Sequence, residues 1–286
     1  MPELPEVETV VNHLAKKIIG KVFLTCSVLA PKMVSKNFSR EIKNARVSKV
    51  LRRGKMIIIK LAKEKYLLVH LKMTGQLIYL DPQGKASGGG HPINFKNFDV
   101  KQPNKFTRIV LNFKGGSCLL FHDIRKFGWM KIVDQEQYQK IIAKYGVEPL
   151  TKDFTVKKLT DILKKRPRAN IKQLLLMQDL IAGIGNIYAD ESLFDVGVHP
   201  LRLAGQLTEG EIKFLHRSII KKLRQAIKLG GTSVNTFVSA SGERGRFVSK
   251  LKVYQRGGQE CHNCRAILKK IKLGGRGTVF CLNCQK

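Results

Sequence analysis

Apolar residues recur along the chain with two different periods. Near the N-terminus they are spaced three or four apart, at positions 7, 10, 11, 14 and 18, which predicts an amphipathic helix. From residue 21 to 133 the chain instead has short runs of aliphatic, β-branched and aromatic residues that are broken by glycine-containing turn signals. These runs predict strands at 21–29, 47–51, 56–61, 66–71, 76–80, 107–113, 117–122 and 129–133.

Many short strands separated by turns are typical of an antiparallel sandwich or barrel. Residues 81–105 are polar and glycine-rich, so we expect a mobile loop or an insertion there. The composition changes at 134–149, and the helical period returns most clearly at 208–229. Thr208 and Glu211 have the spacing of a capping box at the start of that helix, and Gly230 follows its end. Residues 231–250 are rich in Ser, Gly and Arg and predict a flexible loop.

The net charge indicates a polyanionic partner. The 286 residues contain 53 Lys and Arg against 21 Asp and Glu, a formal charge of +32. Nucleic acid is the first expectation. The alternatives are an anionic lipid surface and a lysine-rich genome bias that raises the charge without a function. The sequence contains no apolar run near 18 residues and no signal-peptide pattern, so we expect a cytoplasmic protein with no membrane partner.

Four of the six cysteines predict a metal site. Cys261, Cys264, Cys281 and Cys284 have the spacing C-x2-C-x16-C-x2-C, which suits one structural Zn²⁺ held by four thiolates. The alternative is a thiol cluster without metal. The intervening segment predicts a β-hairpin with Arg276 between glycines, which suits a contact to phosphate. Zinc ribbons also bind proteins, so both kinds of partner stay open for this hairpin.

The sequence begins Met1-Pro2-Glu3-Leu4-Pro5-Glu6-Val7-Glu8-Thr9. Removal of Met1 would leave the secondary amine of Pro2 at the N-terminus, and an α-amino group near pKa ~8 is partly neutral and nucleophilic at physiological pH. Glu3 is one peptide bond away and could transfer protons. The simpler alternative is that prolines and acids in this segment only begin a helix.

Several short polar motifs are weak individually and specific together. In order they are PELPEVET, RRGK, HLKMTG, DIRKFG, AGIGNIYADE, VYQRGG and the cysteine ribbon. Together they resemble the bacterial formamidopyrimidine-DNA glycosylases over essentially the whole chain. The resemblance implies an α+β fold: an N-terminal antiparallel β-sandwich domain with an N-terminal helix, and a C-terminal helix–two-turn–helix domain that ends in a β-hairpin zinc ribbon. The domains expected are 1–134, a linker at 135–149, a helical domain at 150–250 that includes a lesion-recognition loop at 232–248, and the ribbon at 251–286.

The resemblance also implies a function and site residues. It implies excision of oxidised purines, chiefly 8-oxoguanine and formamidopyrimidines, from double-stranded DNA through a proline iminium, followed by β,δ-elimination. Pro2 would be the nucleophile, Glu3 the proton donor and acceptor, and Lys55 a phosphate contact that assists elimination. Glu6 would position the N-terminus. The implied DNA contacts are His70, Asn186, Tyr188 and Arg276 on the backbone, and Met73, Arg125 and Phe127 in the space left by the flipped base.

Two other functions remain as alternatives. An endonuclease VIII-like glycosylase for oxidised pyrimidines would share the Pro-Glu start, the lysine and the zinc ribbon. The Leu4-Pro5-Glu6 continuation and the set Met73, Arg125 and Phe127 favour the purine enzyme. A non-catalytic zinc-ribbon DNA-binding protein would be expected to lack Pro2, Glu3 or Lys55, and all three are present. We expect a monomer associated with the bacterial nucleoid.

Overall fold

The computed structural model describes residues 1–90 and 103–233, the backbone of 238–239, and residues 245–286. The chain forms two compact units. Unit 1 comprises residues 1–143 and 227–248, and unit 2 comprises 144–226 and 249–286. The fold class is α+β, as predicted. The division of the sequence into domains at 134, 149 and 250 stays a prediction.

Unit 1 contains most of the strands. Its strands are β1 (Phe23–Val28), β2 (Val47–Arg53), β3 (Met56–Leu61), β4 (Tyr66–His70), β5 (Gly75–Leu80), β6 (Ala86–Gly90), β7 (Thr107–Phe113), β8 (Cys118–Asp123), β9 (Trp129–Val133) and β10 (Val238–Ser239). Its helices are α1 (Leu4–Ile18), α2 (Phe38–Ile42) and α3 (Gln135–Ile142), with 3₁₀ turns at Pro31–Met33 and Phe247–Lys250, the latter reaching into unit 2.

The strands of unit 1 form a sandwich of two antiparallel sheets. One sheet has the order β1-β7-β8-β5-β6-β10, and the other has the order β2-β3-β4-β9. One cluster of buried apolar residues is shared by both sheets, α1 and α2. The five apolar positions that predict α1 are all buried in this cluster, which confirms the amphipathic helix. All eight predicted strands are present, with ends within two residues of the prediction.

The prediction of a loop over 81–105 is wrong at residues 86–90. These residues form β6, which pairs with β5 on one side and β10 on the other. The backbones approach so closely that a Cβ atom on Gly88 would lie 2.2 Å from the carbonyl oxygen of Leu77. Residues 91–102 of this segment, and most of the predicted recognition loop at 232–248, lie outside the described residues.

Unit 2 contains helices and the zinc ribbon. The elements are α4 (Val156–Lys165), α5 (Ile171–Leu175), α6 (Asn186–Asp195), a 3₁₀ turn at Ala204–Gln206, and α7 (Glu209–Lys228), whose last two residues belong to unit 1. The ribbon is the hairpin of β11 (Lys269–Leu273) and β12 (Arg276–Phe280). The predicted capping box is confirmed, because the amide of Glu211 donates to Thr208 Oγ1 (3.2 Å) and the amide of Thr208 donates to Glu211 Oε2 (2.8 Å). In the part of the chain that the structure describes, no helix combines the length and apolar character needed to cross a membrane.

Candidate active site and DNA-contact residues

The N-terminal segment of unit 1 is buried and held by one carboxylate. Pro2 is buried, Glu3 is 4% exposed, and α1 begins at Leu4 with Glu3 as its N-cap. The two acids form a reciprocal capping box: the amide of Glu3 donates to Glu6 Oε2 (2.9 Å), and Glu3 accepts from the amide of Glu6. The other oxygen of Glu6 accepts from the amide of Thr232 (2.8 Å). Both oxygens of Glu6 are therefore used to hold backbone, which suits a positioning role.

Lys55 lies in a two-residue turn that is tied to the same helix. Strands β2 and β3 pair up to Arg53 and Met56, and Gly54 begins the turn with a φ of +57°, a conformation that favours glycine. Lys55 is only 5% exposed, although it is a lysine in a turn.

Arg52 connects this turn to α1. Its Nη1 donates to the carbonyl of Gly54 (3.1 Å), and its Nε donates to Glu8 Oε2 in α1 (2.6 Å). The side chain of Arg52 is 8% exposed. Since α1 also carries the N-terminal residues at its start, this ion pair joins the Lys55 turn to the element that positions Pro2 and Glu3. The RRGK motif predicted only a basic turn, because the partner in α1 is 44 residues away.

His70 ends strand β4 and has a defined neutral form. The backbone amide of Lys72 donates to His70 Nδ1 (3.0 Å), so the proton of the neutral ring is on Nε2, which can donate to a phosphate oxygen. Burial, with smaller contributions from the charges of Lys72 and Lys55, lowers the pKa of His70 to about 3. The ring lies 5.8 Å from that of Trp129, its partner across β4 and β9.

Met73, Arg125 and Phe127 lie on two loops of unit 1 and are exposed. Met73 is 43% exposed and Phe127 is 53% exposed, whereas large apolar side chains are usually buried. The guanidinium of Arg125 lies 4.7 Å from the centre of the Phe127 ring, a cation–π contact. Helical or strand periodicity alone would place Met73 in the core, and the structure places it on the surface.

In unit 2, Asn186 and Arg276 belong to one surface. The glycine turn at 183–185 precedes α6, whose first residue is Asn186. Asn186 Nδ2 donates to the carbonyl of Gly277 (2.8 Å), one residue after Arg276. Arg276 is exposed next to the Gly274-Gly275 turn of the ribbon, and both glycines have positive φ, as a tight two-residue hairpin requires. A helix N-terminus and a guanidinium together favour an anion.

Tyr188 differs from the other expected DNA contacts. Its side chain is 1% exposed and packs inside unit 2. The contact of Tyr188 with DNA stays a prediction.

A buried ion pair fixes the zinc ribbon on the helices. Lys172 in α5 and Asp190 in α6 are each 1% exposed, with Nζ and Oδ1 2.6 Å apart. Lys172 Nζ also donates to Thr278 Oγ1 (2.7 Å) and to the carbonyl of Gly277 (3.2 Å) in β12. Burial raises the pKa of Asp190 to about 7, against the opposing effect of the Lys172 charge. Nothing in the spacing of these two residues predicts that they meet.

Glu191 holds the segment that precedes the ribbon. This carboxylate is fully buried and accepts from the backbone amides of Lys252, Val253 and Tyr254 at 2.9–3.0 Å. The VYQRGG motif therefore marks a segment whose backbone is bound by an acid of the AGIGNIYADE motif. The contact joins the two motifs, although neither one predicts the other.

The four ribbon cysteines have the geometry of a zinc site. Their Sγ atoms all lie within 4.8 Å of one another, with Cys261 and Cys284 3.9 Å apart and Cys264 and Cys281 3.5 Å apart. Zn–S bonds of about 2.3 Å in a tetrahedron place sulfur atoms about 3.8 Å apart. These separations fit one Zn²⁺ and are far from disulfide bonds. All four ligand positions are protein thiolates, so the metal is structural.

The chain matches three family models in succession. The formamidopyrimidine-DNA glycosylase N-terminal domain matches residues 1–130, the H2TH domain of the same enzymes matches 145–238, and a zinc finger found in FPG and IleRS matches 258–286.

Individual relatives match over the full length. The formamidopyrimidine-DNA glycosylase of Halalkalibacterium halodurans is 39% identical, covering 100% of both chains. That of Streptococcus pneumoniae is 38% identical, covering 100% of this chain and 99% of the relative. The Lactococcus lactis Fpg in complex with abasic-site DNA is 34% identical with a TM-score of 0.86, covering 99% of each chain. A complex of that protein with Fapy-dG DNA has a TM-score of 0.85 at 34% identity, covering 99% of this chain and all of the other. The chain belongs to the formamidopyrimidine-DNA glycosylase family.

Proposed function

We propose that this protein removes oxidised purines, chiefly 8-oxoguanine and formamidopyrimidines, from double-stranded DNA and then cuts the strand. Full-length relatives are formamidopyrimidine-DNA glycosylases, and the solved Lactococcus lactis relatives hold abasic and Fapy-dG DNA. The single observation that carries the mechanism is the buried N-terminus. Pro2 lies two residues before α1, and Glu6 holds this end of the helix with both carboxylate oxygens.

The reaction begins after removal of Met1, which frees the nitrogen of Pro2. This nitrogen forms a bond to C1′ of the damaged nucleotide while the bond from C1′ to the base breaks and the electron pair leaves with the base, which takes up a proton. The proline nitrogen loses its proton, which the departing base takes up, and its lone pair then breaks the bond from C1′ to the ring oxygen, which receives a proton as the sugar ring opens. The product is a cationic iminium that has no proton to lose from nitrogen. The iminium acidifies the C2′ protons, so loss of one expels the 3′ phosphate, and a second elimination expels the 5′ phosphate.

Two other residues of unit 1, Glu3 and Lys55, act on this intermediate, and a third, Glu6, positions the N-terminus. Glu3, next to Pro2, gives a proton to the sugar as the ring opens and accepts protons later. Lys55 contacts a phosphate near the lesion and assists elimination, and its turn is held by Arg52. Glu6 positions the N-terminus and does not react, since both of its oxygens already accept backbone amides.

The remaining site residues hold a kinked duplex. His70, Asn186, Tyr188 and Arg276 contact the DNA backbone. The exposed Met73, Arg125 and Phe127, which we call the wedge residues, occupy the space of the extruded nucleotide. Extrusion costs a few kcal/mol, and inserted apolar side chains offset part of it by replacing lost stacking. Affinity for DNA should fall steeply with salt, because cationic contacts release counterions.

The proposal extends to organisation and location. We place the working domains at 1–134, 150–250 and 251–286, with a linker at 135–149 and one zinc in the last. We expect a monomeric enzyme at the bacterial nucleoid in the cytoplasm, because its substrate is there.

Borohydride trapping tests the reaction. A duplex with 8-oxoguanine opposite cytosine should give a reduced adduct that maps to Pro2 by peptide mass, with Met1 absent from the intact protein. Pro2→Gly should keep DNA binding and lose most strand cleavage, whereas Pro82→Gly in an exposed turn serves as the matched control. Trapping at another residue, or unchanged turnover of Pro2→Gly, would remove Pro2 from the mechanism. Clearly faster release of thymine glycol than of 8-oxoguanine would favour an endonuclease VIII-like enzyme.

A further inference from the structure

The wedge residues come from two loops that leave the same end of one sheet. Met73 lies between β4 and β5, whereas Arg125 and Phe127 lie between β8 and β9. Strands β5 and β8 are neighbours, and their last pair is Gly75 with Asp123. The two loops are therefore adjacent in space although they are about 50 residues apart in sequence.

A buried carboxylate and a hydroxyl join the two loops. Asp123 is fully buried, and its Oδ1 accepts from the hydroxyl of Thr74 and from the amide of Arg125 (3.1 Å). Its Oδ2 accepts from the amide of Gly128 (2.7 Å), which closes the loop that holds Phe127. Thr74 Oγ1 also accepts from the amide of Arg125 (3.2 Å). Thr74, next to Met73, thus shares hydrogen bonds with the backbone of the other loop.

Steric constraints leave each loop little freedom. A Cβ atom on Gly128 would lie 2.6 Å from Cζ of Phe121, and one on Gly75 would lie 2.4 Å from the carbonyl of Leu71. Lys72 and Lys126, one in each loop, have φ values of +49° and +55°, which non-glycine residues rarely adopt. Such conformations persist where the surrounding contacts over-determine the backbone.

We propose that Asp123 and Thr74 are positioning residues that set Met73, Arg125 and Phe127 as one preformed wedge before DNA binds. The inference rests on the proposed function, in which these three side chains replace the extruded base. Joining the loops orders them during folding, so their conformational entropy is not lost again when the duplex kinks. The contribution of Asp123 and Thr74 to the reaction rate should therefore be specific to substrates in which a base must be extruded.

Thr74 offers the sharper test, because it is half-buried and its isosteric change removes a single hydroxyl. Thr74→Val loses the bonds to Asp123 and Arg125, and Thr74→Ser keeps the hydroxyl as the matched control. Single-turnover release of 8-oxoguanine should slow about tenfold in Thr74→Val, because small misplacement of positioned groups costs rate steeply. Cleavage of a preformed abasic duplex, which has no base to extrude, should stay within about twofold. Thr74→Ser should match the wild type within about twofold on both substrates, since it preserves the hydrogen bonds.

A second measurement tests the coupling of the two loops. The factor by which Met73→Ala slows 8-oxoguanine release should be smaller by at least about threefold in the Thr74→Val background than in the wild-type background. The reason is that the contributions of coupled positions are not additive. Equal slowing of Thr74→Val on both substrates would indicate a general structural role and overturn the proposal. Wild-type rates on both substrates would also overturn it.

Failure of the proposed function has a different signature. In that case the wild-type protein itself releases no 8-oxoguanine and cleaves no abasic DNA. Failure of the wedge inference alone leaves the wild type active on both substrates, with Thr74→Val either as fast as the wild type or slowed equally on both.

Discussion

Replacement of Lys172 by methionine should destabilise unit 2 strongly. The change keeps most of the side-chain volume and removes an ammonium that is 1% exposed and that bonds to Asp190, Thr278 and the carbonyl of Gly277. Removing one partner of a buried ion pair typically costs about 3–5 kcal/mol, because the other charge stays buried and uncompensated. Lys157→Met is the matched control in the same unit. Its ion pair with Asp161 is at the surface, with side chains 85% and 46% exposed, and should contribute less than about 0.5 kcal/mol.

The loss of unfolding free energy in Lys172→Met relative to the wild type should depend on pH, and its direction can be worked out. Burial already raises the pKa of Asp190 to about 7, and loss of the Lys172 charge raises it further. As the pH falls below the raised pKa of Asp190, the carboxyl takes up a proton in both folded proteins, whereas at higher pH only the variant must hold an unpaired anion or keep its proton. The deficit of Lys172→Met relative to wild type should therefore be larger at pH 8 than at pH 6.

Guanidinium unfolding of the zinc-loaded proteins, followed by circular dichroism at both pH values, measures the deficit. Lys172→Met/Asp190→Leu should recover much of the loss, since replacing both charges by apolar groups is often neutral. A Lys172→Met deficit no larger than that of Lys157→Met at pH 8 would refute this account of the ion pair.

Three further outcomes are expected. Chelation of zinc should abolish DNA binding while the β-sandwich circular dichroism signal persists, and full activity with confirmed metal loss would exclude a role for Arg276. Arg52→Gln should slow base release and strand cleavage about tenfold or more by loosening the Lys55 turn, whereas Arg46→Gln, at an exposed arginine, should not, as single-turnover rates would show. Burial and, to a smaller extent, the charge of Arg108 lower the pKa of His122 to about 4 in the folded protein. Between pH 6.5 and 4 the unfolded chain therefore binds more protons at this residue than the folded chain does. The free energy of unfolding should therefore fall by up to about 3 kcal/mol as pH drops through this window, and urea titrations of His122→Gln should show a smaller fall.

The strands were predictable because each one carries its own pattern. Val, Ile, Leu and aromatic residues in short runs between turns mark a buried sheet without any knowledge of the partner strand. Strands β6 and β10 are exceptions, because both lie in segments predicted as loops. Gly88, Gly89 and Gly90 have φ values of +114°, +154° and +148°, so the close approach to β5 requires glycine and leaves no side-chain pattern. Because a run of glycines has no alternation of apolar and polar side chains, the sequence predicts a loop there.

The candidate chemistry-bearing residues rest on a different kind of signal in the sequence. The cysteine spacing defines the metal site locally, and ordered motifs bring in Pro2, Lys55 and the wedge residues through resemblance. The contacts that hold them were not predictable. The ion pairs of Arg52 with Glu8 and of Lys172 with Asp190 form between elements that are distant in sequence. The sequence of one helix or strand does not predict which other element it will contact.

Trp129 gives the protein a built-in optical probe. It is the only tryptophan in the sequence, and its ring lies 5.8 Å from that of His70, a proposed contact to the DNA backbone. All indole emission therefore comes from one half-buried position beside this contact. Engagement of His70 by a duplex would change the surroundings of a single fluorophore, so binding at that point can be followed in real time without any label on protein or DNA.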